Sequence, residues 1–483
     1  MSKAAITTTP SSLAEHKAIQ KALAADPRAV LIYRDGDQMR RLDSGESIAI
    51  ADAPAAAADL LAQKQRVLVA YEPSVIIPGG CPLPPTWPPQ PEWFDSALVA
   101  TSDGKDSRAL LHQTVAIYGP ERTVAVNNLL GNEHARSADQ AAEMCRAYGV
   151  QLYYTWKDTD GRSCWGTTVP EHIRALYAHD YGVPGEARQV SDRDDLVVTL
   201  AEERGQWPGN GAMFCTSGGK RDTSNVLLRA AANLDAADVV VQLAEARGQW
   251  PGNGAMFCTD RTKTKTTDVL LRGGQLPLPP VPGKRRVFRT GERGAEGHRR
   301  SLKPAWQTRL TTPTRESIVL WERPLLQISD DDLWGYVIRH QIPVPALYWG
   351  LGRDSCSFCV WKSWEEVCLV GLMYPRPLAR RAAAERRMGH VVNLSFRYGD
   401  HVGYQAVWAF LYGDFVDQAT IPTPRPEAVE TMLAWWRSGV YHRPPEGIIM
   451  LGAPEAPSGF DIAELPSQSA RPSRARAPLP CDA

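Results

Sequence analysis

Short apolar runs alternate with amphipathic stretches from about residue 93 onward. The runs predict β-strands at 97–100, 123–126 and 151–155, and the stretches between them have helical spacing at 108–118 and 138–148. This alternation predicts an α/β fold, a Rossmann-like parallel sheet with helices on both faces. In such sheets ligands bind at the carboxyl ends of the strands.

The α/β pattern is predicted to occupy 91–360, between two accessory regions. Residues 1–90 form an N-terminal accessory segment, with helical spacing at 12–25, a strand candidate at 30–33 and an alanine-rich, helix-prone stretch at 53–65. The prolines of 79–91 predict an extended linker. After the α/β domain we expect a helical C-terminal region at 361–455 and a disordered tail at 456–483.

A direct duplication lies within the α/β domain, near 194–272. Residues 204–216 recur identically at 247–259, an offset of 43 positions. Two copies are too few for a solenoid of stacked repeats, so a recent internal duplication is the simpler interpretation.

A polar turn, Ser102-Asp-Gly-Lys-Asp-Ser107, separates the first predicted strand from the first predicted helix. Strand, turn and helix in this order gather backbone N–H groups at a helix N-terminus, where the helix dipole favours an anion. Gly104 lets the backbone approach a phosphate, Lys105 supplies a positive charge, and the hydroxyls of Ser102 and Ser107 can donate to phosphate oxygens. The turn therefore predicts a site for nucleotide phosphates, with an ordinary polar turn as the alternative.

This turn resembles the Ser-Gly-Gly-Lys-Asp-Ser loop of the PP-loop ATP pyrophosphatase superfamily, with Asp103 where Gly or Ser is usual. The resemblance implies an adenine nucleotide alpha-hydrolase-like fold. It also implies a loop that grips the pyrophosphate of ATP, or the phosphosulfate of a related nucleotide, through Ser102, Gly104, Lys105, Asp106 and Ser107. The carboxylate of Asp103 either points outward or helps to hold magnesium, and the sequence leaves both open.

Further segments resemble the phosphoadenosine phosphosulfate (PAPS) reductase family of this superfamily, in the same order along about 93–370. Gly131-Asn132-Glu133-His134 resembles the nucleotide-binding turn after the second strand. Gly291-x-Arg293-x-x-Glu296 resembles an element near the nucleotide and substrate. Asp332-Leu333-Trp334, on a helix predicted at 333–340 behind an N-cap signal at 329–332, resembles the Asp-Val-Trp helix. The resemblance implies catalytic roles for Lys105, Asp106 and Arg293.

Five of the nine cysteines are candidate metal ligands. Cys356-x-x-Cys359 and the downstream Cys368 have ligand-like spacing, and Cys215 or Cys258 could supply a fourth thiolate. Related DndC-type proteins of DNA phosphorothioation carry an iron–sulfur cluster on a comparable set, here of the 4Fe–4S type, and zinc would use the same geometry. For Cys368 the alternative is a core position on an amphipathic helix.

The 54 basic and 54 acidic side chains exclude a globally charged nucleic-acid binder. Locally, basic clusters at 284–309 and 376–387 could track a nucleic-acid backbone, although solvated surfaces look the same. No apolar run approaches the ~20 residues of a membrane helix, and the N-terminus lacks a signal-peptide core. We expect a cytoplasmic protein without membrane contact, whose cysteines are thiols or metal ligands rather than disulfides.

The resemblance implies an enzyme that uses ATP and Mg²⁺ to adenylate a substrate oxygen. A sulfur donor protein, either a cysteine desulfurase or a thioredoxin-like protein, would then complete sulfur transfer, for instance in nucleic-acid modification. A true PAPS reductase, holding PAPS in the loop, is a second interpretation, but residues 478–483 lack that enzyme's Glu-Cys-Gly-x-His motif. A third interpretation is a non-catalytic nucleotide- or metal-binding component of a larger complex.

Overall fold

The computed structural model describes residues 24, 28–129, 134, 136–157, 163–171, 173–174, 177, 265–272, 283–312, 317–345, 348, 351, 357–358, 362–388, 391, 395–414, 422–438 and 445–451. Both copies of the 13-residue repeat, the predicted helix before residue 24 and the tail at 456–483 lie outside these residues.

The N-terminal segment forms a five-stranded sheet with the order β3-β2-β1-β4-β5. Its strands are β1 (Ala29–Asp35), β2 (Gln38–Arg41), β3 (Ser47–Ala49), β4 (Arg66–Glu72) and β5 (Val75–Pro78). Helix α1 (Ala53–Ala62) connects β3 to β4, and β1 and β4 are parallel. The predicted strand at 30–33 and the alanine-rich helix are confirmed.

The proline-rich stretch after β5 contains no regular element before residue 91, as its composition predicts. It is nevertheless packed against the protein, because apolar side chains alternate with its prolines. Cys81, Leu83 and Trp87 are buried, and the ring of Trp87 stacks on that of Tyr71 with centroids 5.2 Å apart. The stretch is therefore part of the hydrophobic core rather than a free linker.

The α/β domain contains a seven-stranded sheet with the order β11-β12-β10-β6-β7-β8-β9. The strands are β6 (Ser96–Thr101), β7 (Thr123–Asn128), β8 (Gln151–Lys157), β9 (Ser163–Gly166), β10 (Arg285–Arg289), β11 (Trp306–Thr312) and β12 (Ser317–Glu322). The inner strands β12, β10, β6, β7 and β8 are parallel, and β11 and β9 pair antiparallel at the edges. The predicted α/β class and parallel sheet are confirmed.

The strand order reverses next to β6. The chain runs from β6 through β7 to β8 on one side, then returns to place β10 and β12 on the other. In open α/β sheets the crevice at such a reversal, outside the carboxyl ends of the two central strands, is the usual ligand site. Here these are the ends of β6 and β10.

Helices cover both faces of this sheet. They are α2 (Lys105–Tyr118), α3 (Ser137–Ala147), α4 (Lys265–Arg272) and α6 (Asp330–Arg339). A short helix, α5 (His298–Ser301), lies between β10 and β11 in the chain. On β6, Leu98 packs with Leu270 of α4, whereas its neighbour Val99 packs with Leu110 of α2 and Leu333 of α6. Because successive strand residues face opposite sides of the sheet, the apolar run of β6 packs against helices on both faces.

The predicted C-terminal helical region contains α7 (Trp364–Met373), α8 (Pro375–Met388), α9 (Gly403–Tyr412) and α10 (Pro426–Ser438). Gly371 of α7 permits close packing, since a Cβ there would lie 2.8 Å from Leu378 and 2.9 Å from Leu411. Short strands β13 (Val344–Pro345) and β16 (Met450–Leu451) pair, as do β14 (Arg397–Tyr398) and β15 (His401–Val402). Within the described ranges, no helix is both long and apolar enough to span a membrane.

Candidate functional site

The loops that follow β6 and β10 meet at the reversal of strand order. A Cβ on Gly291, just after β10, would lie 3.3 Å from the backbone carbon and oxygen of Asp106. Only glycine permits this approach without displacing the loop. Two segments that the sequence analysis singled out separately are therefore in direct contact.

The 102–107 loop is held by its own hydrogen bonds. The Ser107 hydroxyl donates to the Gly104 carbonyl at 2.8 Å and accepts from the Ser102 N–H at 3.2 Å. Ser102 itself is exposed. The hydroxyl predicted to donate to phosphate at Ser107 thus shapes the turn in this structure, while Ser102 stays open to solvent.

Helix α2 begins at Lys105, three residues before the predicted start, because the loop's last residues form its first turn. Gly104 is the N-cap residue and has no side chain with which to cap the helix. The Lys105 N–H donates to the Tyr348 hydroxyl at 3.0 Å. This helix N-terminus therefore lies at the carboxyl end of β6, where backbone N–H groups favour an anion.

Two cations and two carboxylates form one cluster at this edge: Lys105, Asp106, Arg293 and Asp330. The Lys105 ammonium lies 3.2 Å from Asp330 Oδ1 and 3.6 Å from Asp106 Oδ2. Arg293 Nε binds Asp106 Oδ1, and its Nη2 lies 3.1 Å from Asp330 Oδ1. Both cations are buried, at 5 % exposure each, whereas the Asp330 side chain is 49 % exposed.

Two aromatic rings also lie beside the lysine. The Lys105 ammonium lies 5.2 Å from the ring centroid of Trp334 and 5.5 Å from that of Tyr348. The face of an aromatic ring attracts a cation. The rings and carboxylates together hold the ammonium in one position beside the loop.

Asp103 neither points outward nor joins this cluster. Its side chain is fully buried and Oδ1 binds Arg108 Nη2, while Arg108 Nε donates to the Asp103 carbonyl at 2.9 Å. Arg108 also donates to the Pro343 carbonyl at 3.1 Å. Burial raises the pKa of Asp103, and Arg108 opposes that rise. The pair joins the loop, α2 and the chain after α6.

Two acidic residues of the Gly291–Glu296 element, Glu292 and Glu296, form ion pairs outside the four-charge cluster. Glu292 binds Lys303 at 2.6 Å and Arg323 at 3.0 Å, while Glu296 pairs with Arg300. Burial acts to raise the pKa of Glu292, but the two cations outweigh it and lower that pKa. Glu296 is thus directed to α5 rather than to the four-charge cluster.

In the first of the two basic clusters, 284–309, most of the side chains predicted to track a nucleic-acid backbone are paired with carboxylates. In the 284–309 cluster the pairs are Arg285–Asp95, Arg289–Glu322, Arg293–Asp106, Arg300–Glu296, Lys303–Glu292 and Arg309–Asp268. In the second cluster Arg381 is buried, and only Arg376 and Arg386 are described as exposed.

The predicted turn Gly131-Asn132-Glu133 lies outside the described residues, but its neighbours reach the same sheet edge. The Ser137 hydroxyl donates to the Ser102 carbonyl at 3.3 Å. His134 is buried and forms a hydrogen bond with the Tyr374 hydroxyl. This histidine therefore has a structural partner in the helical region.

Of the candidate metal ligands, only Cys368 is described, whereas Cys215, Cys258, Cys356 and Cys359 lie outside the described residues. Cys368 is fully buried in α7, and burial raises the pKa of its thiol well above its ordinary value. No group of three or more His, Cys, Asp or Glu side chains suited to a metal ion occurs in the part of the chain that the structure covers. Cys368 therefore occupies a core position on a helix, which was the alternative to a metal ligand.

Sequence reasoning missed two members of the site, Asp330 and Tyr348. Asp330 was assigned only to the N-cap signal of α6, where Ser329 does cap the helix by accepting from the Asp332 N–H at 3.1 Å. The sequence signal that could have identified Asp330 was its position two residues before the Asp332-Leu333-Trp334 tripeptide. No sequence signal identified Tyr348, because its position depends on how the chain after α6 returns to the loop.

No protein-family model matches this chain, and no curated protein matches it significantly.

Proposed function

We propose that this protein is an ATP-dependent enzyme of the PP-loop type, in which the 102–107 loop and the 291–293 turn bind the nucleotide's phosphates. The supporting observation is that Lys105 and Arg293 both contact the carboxylate of Asp106 at the reversal of strand order. These residues are far apart in sequence, so no local turn preference brings them together. The fold of an adenine nucleotide alpha-hydrolase is part of this proposal.

The chemistry that this site can support is adenylation. An acceptor oxygen would attack the α-phosphorus of ATP, the bond to pyrophosphate would break, and Lys105 and Arg293 would neutralise the negative charge that develops on pyrophosphate. A sulfur nucleophile from a donor protein would then displace AMP and complete the transfer. The basic residues of 284–309 give little support to a nucleic-acid acceptor, since most are paired with carboxylates.

Asp106 has the chemistry of a magnesium ligand. Magnesium in nucleotide sites is held by one or two carboxylates together with the substrate phosphates. The Asp106 side chain is 21 % exposed and borders both cations of the cluster. When bound, magnesium would add positive charge beside the leaving pyrophosphate. An iron–sulfur or zinc centre on the cysteines is a separate proposal, and no step of the adenylation depends on it.

Substitution of Lys105, Asp106 or Arg293 by alanine tests this function. Each change is expected to lower ATP-dependent pyrophosphate release about 100-fold or more. Loss of Lys105 or Arg293 removes a positive charge next to the reacting phosphates, and loss of Asp106 removes the carboxylate proposed to bind magnesium. Release is measured from ATP and Mg²⁺ with and without nucleic acid as acceptor, and ATP affinity is measured by calorimetry. Arg40→Ala is the control, since Arg40 pairs with Asp35 on the exposed N-terminal sheet.

The outcomes separate the three interpretations. Lys105-dependent ATP binding without pyrophosphate release would indicate the non-catalytic component. Sulfite release from PAPS would indicate the reductase. Unchanged ATP binding and release in all three alanine variants would contradict a nucleotide site at this loop.

A further inference from the structure

The cations that would receive a phosphate are already neutralised by carboxylates of the same chain. Lys105 and Arg293 carry two positive charges, and Asp106 and Asp330 carry two negative ones. An anionic ligand therefore meets a cluster with no net charge. It must replace at least one carboxylate to bind the cations directly.

The two carboxylates are held differently. Asp106 follows Lys105 in the first turn of α2 and lies beneath Gly291, so its position is tied to the loop itself. Asp330 comes from the first turn of another helix, α6, and contacts both cations through one oxygen, Oδ1. Its side chain is 49 % exposed against 21 % for Asp106.

Asp330 is consequently the carboxylate that can leave without unfolding the loop. A half-exposed carboxylate is readily hydrated when it turns to water, and the incoming anion takes its place beside the two buried cations. An anion bound at the N-terminus of α2 would contact the same two cations, and the helix dipole would add to its attraction.

We propose that Asp330 is an internal counter-ion that competes with phosphate for Lys105 and Arg293 and so sets the affinity of the site for anions. This inference rests on the proposed phosphate site, but it concerns a residue that carries the same negative charge as the ligand. It leads to the expectation that removal of a negative charge from the site, with the polar side chain retained as an amide, strengthens anion binding.

The test uses Asp330→Asn with inorganic pyrophosphate as probe, titrated by calorimetry into the full chain in the presence of EDTA so that no divalent cation contributes. The variant is expected to bind pyrophosphate about threefold to tenfold more tightly than the native protein. Asp331→Asn is the matched control. It removes the same charge from the next residue of the same exposed helix turn, and its affinity is expected to change less than twofold.

A second arm separates competition from a change in protein structure. In a Lys105→Ala background, which keeps Arg293 as a phosphate ligand, the gain from Asp330→Asn is expected to shrink, because one of the two cations over which the anions compete is gone. A general electrostatic effect would persist in that background. Thermal unfolding of each variant verifies that the chain remains folded.

Several results would overturn the inference. Equal gains in pyrophosphate affinity for Asp330→Asn and Asp331→Asn would mean that only the net charge of this helix turn matters. Weaker binding by Asp330→Asn would mean that Asp330 helps to form the site. In both cases Lys105-dependent pyrophosphate binding by the native protein would leave the phosphate site intact. Absence of pyrophosphate binding in every variant would overturn the site and the counter-ion together.

Discussion

Asp103 has a backbone φ of 68°, a left-handed conformation that glycine adopts easily and aspartate tolerates better than most residues. Its Oδ1 binds Arg108, and its Oδ2 is buried without a hydrogen-bond partner among the residues that the structure covers. From the sequence, this carboxylate at a position where Gly or Ser is usual was expected either to point outward or to help hold magnesium. The partner of Asp103 is Arg108, five residues further along the chain. Arg108 lies in the first turn of α2, because the helix begins at Lys105 and not at Arg108.

Because Asp103 is buried, its titration is expected to make the stability of the protein depend on pH. Burial raises its pKa from 3.8 to about 6 against the effect of Arg108, so the fold favours the protonated acid. This contribution to stability is complete below pH 3.8 and is lost as the pH rises through about 6. Asp103→Asn, which stays neutral, is expected to remove that part of the dependence of Tm on pH between 4 and 7, measured by thermal unfolding.

Arg108→Met is the companion variant for this measurement. Without the guanidinium, nothing described opposes the burial of Asp103, so the window of pH dependence is expected to move to higher pH. Parallel Tm curves for the native protein and Asp103→Asn across pH 4–7 would contradict the assignment.

At the scale of elements, the contact between α2 and α6 brings the phosphate loop and Asp330 together. His112 Nδ1 of α2 lies 2.8 Å from the Tyr336 hydroxyl of α6, and its ring centroid lies 4.8 Å from that of His340. Helix α2 was predicted from its helical spacing and α6 from the N-cap signal before it, because periodicity and capping are local properties. Their contact was not, since periodicity shows that a helix has an apolar face without showing which helix covers it.

This contact is expected to weaken in acid. Burial, and secondly the charge of His340, lower the pKa of His112 below 6.5. The fold therefore favours the neutral ring, and its contribution to stability is present above pH 6.5 and is lost as the pH falls through the lowered pKa. His112→Phe is expected to reduce the fall in Tm between pH 7 and 5.

His298→Phe is the control for this comparison, because His298 is exposed on α5. It is expected to leave the pH dependence of Tm unchanged. A fall in Tm for His112→Phe as steep as that of the native protein would show that the imidazole does not titrate in this window.

At the scale of the whole molecule, the N-terminal sheet and the main sheet share one hydrophobic cluster. Phe94 stacks on Trp306 of β11 with ring centroids 6.2 Å apart, and Ser74 donates to the Trp306 carbonyl at 2.7 Å. The cluster also contains Ile77 of β5 and Val287 of β10. Side chains from the predicted accessory segment thus complete the core of the α/β domain.

Because the core is shared, the two sheets are expected to unfold together. Phe94 is 1 % exposed, and Phe94→Ala should lower the free energy of unfolding by about 3–5 kcal/mol. Denaturant titration followed by tryptophan fluorescence and by far-UV circular dichroism measures this change and should show coincident transitions. Ile117→Ala, at an exposed position, should cost less than about 0.5 kcal/mol. Separate transitions for the two probes would contradict a common core.

The sequence alone determined the elements and the residue types of the loop. Strands β6, β7 and β8, helices α2, α3 and α6, and the turn at Ser102–Ser107 follow from periodicity, glycine and capping, which depend on residues close in the chain. Only the tertiary structure decided that β10 lies beside β6, that Arg293 and Asp330 reach Lys105, and that Asp103 turns inward. These contacts join residues that are mostly far apart in sequence, and they form because the apolar faces of distant segments can be buried only against one another.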